Sequence, residues 1–215
     1  MATAMFTVFH AVVMRKLPVI EPDRVVALWT FRDPSVEVGL TLPDLEELSR
    51  ESRTLRDAAG VVHWGAAAIP VTEGDRPLVL KQGMVTHNFF DVVGARPVLG
   101  RLFRPEDGVE GAAPVTVISY QAWQQGFGGD PSVLGRGLTT TQDLRRYAIV
   151  GVTPPGFDYP VGTDYWTMPR QFDLVDVVAR LVPNATAETA RSEFLTIARR
   201  LDLQRQASMH PSSPW

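Results

Sequence analysis

The apolar segments at the two ends of the sequence constrain the fold most. Arg24 to Phe31 (RVVALWTF) is rich in β-branched and aromatic residues and reads as a strand. Thr41-Leu42-Pro43-Asp44 reads as a helix start, with Thr41 as cap, an acidic residue three positions on and Pro43 in the first turn. Leu45, Leu48, Ser52 and Leu55 then fall on one stripe, with Glu46, Glu47, Arg50 and Arg53 elsewhere, as in a surface helix with one buried face. Val61 to Val71 and Leu78 to Val85 flank the polar turn Glu73-Gly74-Asp75-Arg76 and form an expected hairpin. Near the other end, Leu174 to Leu181 reads as a strand, followed by a helix from about Thr186 to Leu203. Its Ala187, Ala190, Phe194, Ile197, Ala198 and Leu201 share a stripe. Strand-helix-strand at the start and strand-helix at the end predict an α+β fold built on a split βαβ layer.

Between these parts lies a more irregular, turn-rich lobe of mixed β and α structure. Asn88 to Gly94 is expected as a short helix capped by Asn88 and stopped by Gly94. Val115 to Ile118 reads as a strand, and Ser119 as the cap of a helix burying Tyr120, Trp123 and Phe127. A turn at Asp130-Pro131 follows, then a hairpin of Arg136 to Thr141 with Tyr147 to Val152, closed by Pro154-Pro155-Gly156. The tail from Gln204 to Trp215 has no periodicity and is expected to be irregular.

Composition removes several function classes. With 45% hydrophobic and 21% charged residues the chain is suited to a packed core. A formal charge of -3 and isolated basic doublets, Arg145-Arg146 and Arg199-Arg200, offer no clustered basic face for nucleic acid. Zero cysteines exclude disulfides, iron–sulfur clusters and cysteine-ligated zinc. The only lysines, Lys16 and Lys81, do not follow a glycine, so a phosphate-cradling Gly-Lys-Ser/Thr loop is absent. None of the nine serines stands in a Gly-x-Ser-x-Gly elbow. His10, His63, His87 and His210 lack the i, i+4 spacing of a helical metal site, and His63 beside Trp64 reads as a half-buried structural pair. Asp158 and Asp164 form a candidate acid/base pair, weighed against simple roles in turn and loop ends. Tyr159, Tyr165 and Trp166 form a candidate aromatic patch for a partner. No cofactor or metal is implied, and catalysis is not expected.

Met1 to Met14 carries no formal charge and is apolar at Phe6, Phe9, Val12 and Val13, before Arg15-Lys16 ends the run. Fourteen residues are too few to span a bilayer, which takes about 20. The basic residues also follow the apolar run instead of preceding it, unlike a signal peptide. The segment is expected as a short apolar helix, the remnant of a membrane helix.

Three stretches together resemble the MacB-like periplasmic core domain of ABC-transporter permeases (the FtsX/MacB type). The first is HNFFDVVGARPVLGRLF from His87, carrying Phe89, Phe90, Gly94, Pro97, Gly100 and Arg101, with Asp107 shortly after. The second, Ala113 to Leu138, carries Ser119, Trp123, Phe127, Gly128, Gly129, Asp130, Pro131, Gly135 and Arg136. The third, from Tyr147, carries Val150, Gly151, Val152, Pro155, Gly156 and Phe157, with Trp166 and Pro169 beyond it. Each also has a local role to play: the glycines suit positive φ or close approach, Arg101 can pair with Asp107, and Asp130-Pro131 is an Asx-type turn start. Gln142-Asp143 stands where such domains usually carry an Asn-Gly type tip, and Pro183-Asn184 where Pro-Gly is usual.

The resemblance implies a remnant of a first transmembrane helix (1–17) and a periplasmic core domain (18–215). The core divides into a porter-like lobe (18–86 plus 170–203), an inserted lobe (87–169) and the tail (204–215). It implies a mechanical and interaction role in export or mechanotransmission, at the bacterial inner membrane and facing the periplasm or outside. Permease membrane helices, a separate ATPase subunit and a second copy of the domain are the implied partners. A free-standing extracytoplasmic binding module and a non-functional permease gene fragment are the alternatives.

Overall fold

The computed structural model describes residues 18–28, 31–33, 36–37, 40–62, 66–169 and 174–209. The expected N-terminal helix and the His63-Trp64 pair lie outside the described residues. In chain order the elements are β1 (Val25–Leu28), β2 (Phe31–Asp33), β3 (Val36–Glu37), α1 (Leu42–Glu51), β4 (Leu55–Val62), β5 (Ala67–Glu73), β6 (Arg76–Met84), α2 (Phe89–Val93), β7 (Leu99–Gly100), β8 (Val115–Ile118), α3 (Tyr120–Phe127), β9 (Gly137–Thr140), β10 (Arg146–Val152), β11 (Tyr165–Thr167), β12 (Val175–Leu181) and α4 (Ala187–Met209).

The split layer is present. β12 lies between β1 and β4 and is antiparallel to both, so β1, α1 and β4 make a βαβ unit with β12 inserted between its strands. Both faces of this small sheet are covered, which is why apolar residues predominate in its strands, with Arg56 and Asp57 of β4 and Asp176 and Arg180 of β12 as the charged exceptions. One face packs Val26, Leu28, Ala58, Val62, Val177 and Leu181 against Leu45 and Leu48 of α1 and Ala190, Phe194 and Leu201 of α4. The other face turns Val25, Ala59, Val61 and Val178 toward α2 and the inserted lobe.

α1 starts as the sequence demands. Thr41 N–H donates to Asp44 Oδ2 at 3.0 Å and Asp44 N–H donates to Thr41 Oγ1 at 3.3 Å, a complete capping box. The helix stops at Glu51, however, and Leu55, expected on its stripe, begins β4. The stop is enforced from α4. Glu193 accepts from Ser52 Oγ at 2.5 Å, Arg53 N–H at 2.8 Å and Thr54 N–H at 3.0 Å, and also from Thr54 Oγ1. Burial alone would raise the Glu193 pKa, but these donors outweigh it and hold the carboxyl below its ordinary value. Stability from this site is therefore present above the ordinary glutamate range and lost as pH falls through the lowered pKa. Glu193→Gln is expected to cost about 2 kcal/mol at neutral pH, since hydrogen bonds to charged groups contribute ~1.5–3 kcal/mol each and the amide keeps part of the set. Urea unfolding at pH 7 and at a pH below the lowered pKa should show the deficit at pH 7 and its decline at the lower pH. An equal deficit at both would rule out the charge as the cause.

α4 runs on to Met209, well into the stretch expected to be an irregular tail. Arg200 and Arg205 reach back to Glu51 and Asp44 of α1 at 2.6 and 3.5 Å, so partners on a neighbouring helix support turns that have no apolar stripe.

The inserted lobe is more regular than its sequence suggests. β10 pairs along one edge with β8 and along the other with β9 and then β7. β9 pairs with β5, β5 with β6, β6 with β11 and β11 with β8. The ring closes into a six-stranded barrel, which leaves those strands no free edge where they pair. Each strand contributes to a common interior: Val71, Leu80, Ile118, Leu138, Ile149 and Tyr165, with Phe127 of α3 and Val133 packed against them. The β5–β6 hairpin joins this barrel by hydrogen bonding, and not the split layer to which the expected boundary at residue 86 assigned it.

Candidate functional site

The family-type residues serve the junction between the two lobes and the turns around it. α2 sits between the split layer and the barrel. Phe89 and Phe90, both buried, form an aromatic cluster with Phe157, Phe103 and Trp166 at centroid distances of 5.2–6.2 Å, mostly edge-on or tilted. Tyr159 stacks on Phe89 at 6.1 Å, and Trp166 Nε1 donates to the Tyr159 carbonyl at 2.8 Å. Tyr165 and Trp166 are wholly buried. Burial pushes the Tyr159 and Tyr165 phenols well above their ordinary pKa. The expected aromatic partner patch is therefore packed into the protein: Tyr165 fills the barrel interior, Trp166 on the opposite face of β11 joins the cluster at the lobe junction, and Tyr159 lies half-buried against that cluster.

Asn88 does not cap α2. Its Oδ1 accepts from Thr86 Oγ1 at 2.7 Å and its Nδ2 donates to the Ala58 carbonyl at 2.8 Å, tying the helix start to β4. Gly94 ends α2 with φ 75°, as expected. A side chain there would also meet Ile20 at 2.9 Å, because the incoming chain lies across this turn.

Gly100 and Gly151 face each other where β7 joins β10. The ladder between β10 and β8 shifts register at Val150, a bulge that lets β10 exchange β9 for β7 along its other edge. The backbones come so close there that a Cβ on Gly151 would lie 1.9 Å from the Arg101 carbonyl oxygen. Arg101 itself makes the forked pair expected of it, with Asp107 at 2.5 and 2.8 Å. That bond, first among its causes, holds the Asp107 carboxyl below the usual range.

The remaining motif residues shape α3 and its exits. Ser119 Oγ accepts from Ala122 N–H at 3.0 Å as the predicted cap, and Gly128 closes the helix with φ 65°. Phe127 is buried. Trp123 is half-buried, its Nε1 donating to the Asp130 carbonyl at 2.9 Å. Asp130 accepts from Ser132 N–H at 2.9 Å and pairs with Arg136, which also reaches Glu73 at 3.1 Å. Gly129, Pro131 and Gly135 line these turns; Val152 is core, and Pro97, Pro155, Gly156 and Pro169 lie in connecting loops.

A polar cleft of about 350 Å³ opens beside α3, lined among others by Lys81, Gln121, Asp158 and Asp164. Both carboxylates act as loop anchors: Asp158 Oδ2 accepts from Gly162 N–H at 3.2 Å and Asp164 Oδ2 from Lys81 N–H at 2.9 Å. The hydroxyls are engaged too, Ser119 as the cap and Thr163 donating to the Pro160 carbonyl at 2.6 Å. The acid/base candidates thus hold the loop ends, and the cleft shows no nucleophile paired with a base.

The residue that sequence reasoning missed is Arg180. It alternates with Val178 on the α2-facing side of β12 and is only 6% exposed. Its Nε donates to the Val92 carbonyl at 2.9 Å, in the last turn of α2, and one terminal nitrogen donates to the Ile20 carbonyl at 2.8 Å. The other lies 3.5 Å from Glu21. Arg24 Nη2 completes the tie by donating to the Leu181 carbonyl at 2.7 Å. One side chain therefore joins the incoming chain, the central strand and α2. A basic residue on the α2-facing side of VDVVARL, a strand whose other residues except Asp176 are apolar, was the available signal.

Comparison with known proteins matches this architecture. The model of the MacB-like periplasmic core domain matches residues 1–197, and the chain belongs to that family. The periplasmic region of MacB from Actinobacillus actinomycetemcomitans shares 14% identity at a TM-score of 0.60, covering 81% of this chain and 76% of that one. The extracellular domain of the noncanonic ABC-type transporter YknZ from Gram-positive bacteria shares 15% identity at 0.61, covering 78% and 85%. At such identities these likenesses show the fold alone. No curated protein matches the sequence. Among the described residues no helix is long and apolar enough to cross a membrane.

Proposed function

We propose that the chain is the extracytoplasmic domain of an ABC-transporter permease, held at the bacterial inner membrane, that carries conformational change outward and has no catalysis of its own. ATP hydrolysis would come from a separate subunit, and a second copy of the domain would stand beside the first. One observation carries the reading. The chain that arrives from the apolar N-terminal segment is fixed by the buried Arg180 to the middle strand of the split layer, and the same layer packs on the barrel through α2. Movement of the incoming segment would move both lobes together.

This chain has no cysteine, so a single introduced cysteine gives the domain one label site. Leu144, 79% exposed at the β9–β10 tip, is replaced by cysteine and spin-labelled in the permease reconstituted with its ATPase. An inter-copy distance that shifts between nucleotide-free and ATP-bound states is expected. No dipolar coupling between copies, or an unchanged distance, would reject the mechanical role.

A further inference from the structure

A second cleft, of about 260 Å³, lies where the incoming chain crosses the end of α2. Guanidinium groups enter it from three elements: Arg180 from β12, Arg56 from β4 and Arg96 from the loop after α2. They differ in how far they are neutralised. Arg180 is immobilised and buried, its best carboxylate only at 3.5 Å. Burial is the first cause that lowers its pKa; Glu21 opposes this, while the nearby charges of Arg24 and Arg56 lower it further. Among the described residues Arg56 meets only its neighbour Asp57, at 3.7 Å with both side chains more than half exposed. Arg96 is exposed and has no hydrogen bond or ion pair among the described residues. Three carboxylates line the same cleft: Glu21 is shared between Arg24 at 3.3 Å and Arg180, Asp57 stands beside Arg56, and Asp91, exposed, enters from α2, which leaves Arg96 as the guanidinium that none of them pairs. The cleft thus keeps spare guanidinium donors around one fixed, desolvated guanidinium.

Planar guanidinium forks bind carboxylate and phosphate oxygens alike, but a phosphate offers several oxygens at once to guanidinium groups that converge from three elements. The volume is below the roughly 300–1,000 Å³ of drug-sized pockets, so the ligand is small. The position of the cleft supplies the source. Ile20, which lines it and is 47% exposed, stands four residues after Lys16, the end of the basic pair that closes the apolar run. Four residues reach about 14 Å at most, and the headgroup layer of a bilayer is about 5–8 Å deep on each side.

We infer that the cleft of Arg56, Arg96 and Arg180 binds the phosphate of an anionic phospholipid headgroup, fixing the domain against the outer surface of the membrane. The choice of a lipid source rests on the membrane placement proposed above; the phosphate chemistry does not.

The test uses the whole chain in two arms, with Arg56→Gln/Arg96→Gln as the variant because both side chains are exposed and neither supports the core. In the first, sn-glycerol 3-phosphate is titrated to a large excess and melting is followed. A ligand that binds only the folded form raises Tm in the wild type, and the variant should need at least a tenfold higher concentration for the same shift. No shift in the wild type, or the same shift in both, overturns the site. In the second arm, binding to phosphatidylglycerol vesicles is compared with phosphatidylcholine vesicles at constant salt. Because the N-terminal segment is common to both chains, preference for phosphatidylglycerol should fall severalfold in the variant. Unchanged preference alongside a positive first arm overturns the lipid assignment, leaving a soluble phosphate ester. Failure of the first arm leaves the permease reading standing, since the spin-label distance tests that separately.

Discussion

Gly151→Ala is expected to destabilise the domain by about 3 kcal/mol, in the upper part of the range for overpacking a close contact. The added Cβ would meet the Arg101 carbonyl oxygen at 1.9 Å and its carbon at 2.7 Å, both backbone atoms, so no side-chain rotation relieves the clash. The strands must part instead. That breaks the Arg101 N–H to Val150 carbonyl bond (2.9 Å) and the Val98 N–H to Val152 carbonyl bond (3.0 Å), which hold β7 to β10. For a chain of this size Tm should fall by about 6–12 °C. Gly126→Ala is the control. Nothing lies within 4 Å of its Cβ position in α3, and its φ is not left-handed. That substitution should raise stability by about 0.5–1 kcal/mol through helix propensity alone. Calorimetry of the two variants separates a steric demand from a general intolerance of glycine replacement. If Gly151→Ala melts with the wild type, the close approach of these strands is not what the motif glycine provides.

The same contrast explains what could be read from the sequence. Features set by near neighbours were legible: the capping box of Thr41 and Asp44, the Ser119 cap, the left-handed Gly94, the Asp130 turn and the Arg101–Asp107 fork all depend on residues within a few positions. The split layer was legible in outline, because β1 is apolar throughout, β12 largely so, and each helix carries a stripe; the extent of β4 was not, since Leu55 falls on the α1 stripe and Arg56 and Asp57 interrupt the apolar run that follows. The barrel was not. Its closure rests on β9 pairing with β5 and β6 with β11, contacts between residues some 65 to 85 positions apart that leave no local period. The aromatic patch failed for a related reason: Tyr165 and Trp166 look like surface residues beside two prolines and a glycine until β11 is seen to lie between β6 and β8. Glu193 ending α1 is likewise a tertiary effect, since Ser52, Arg53 and Thr54 give no hint of a carboxylate arriving from α4.

Arg180→Met is expected to cost about 3 kcal/mol and to act on one place. Methionine fills much of the volume and leaves the sheet packed, but it returns nothing to the buried Val92 carbonyl or the part-buried Ile20 carbonyl, and a buried acceptor left without a partner costs about 1–3 kcal/mol. Glu21 is 53% exposed and regains water, so the lost ion pair adds little beside the two carbonyls. The consequence is spatial as well as energetic. Among the described residues, Ile20 and Glu21 would keep only the bond from Arg24 N–H to the Glu21 carbonyl and the exposed Arg24–Glu21 pair, while β1 remains paired with β12 along its length. Amide exchange should therefore accelerate over residues 20–24 by one to two orders of magnitude, with the barrel amides tracking only the global loss of stability. Arg180→Lys separates charge from geometry: a single ammonium cannot serve both carbonyls as the fork does, so it should recover less than half of the loss. Uniform acceleration across the domain would show that Arg180 is an ordinary core residue. Acceleration confined to the incoming segment would identify it as the bond through which that segment grips the split layer, and hence as the first side chain to fail if the domain is pulled by its N-terminal segment.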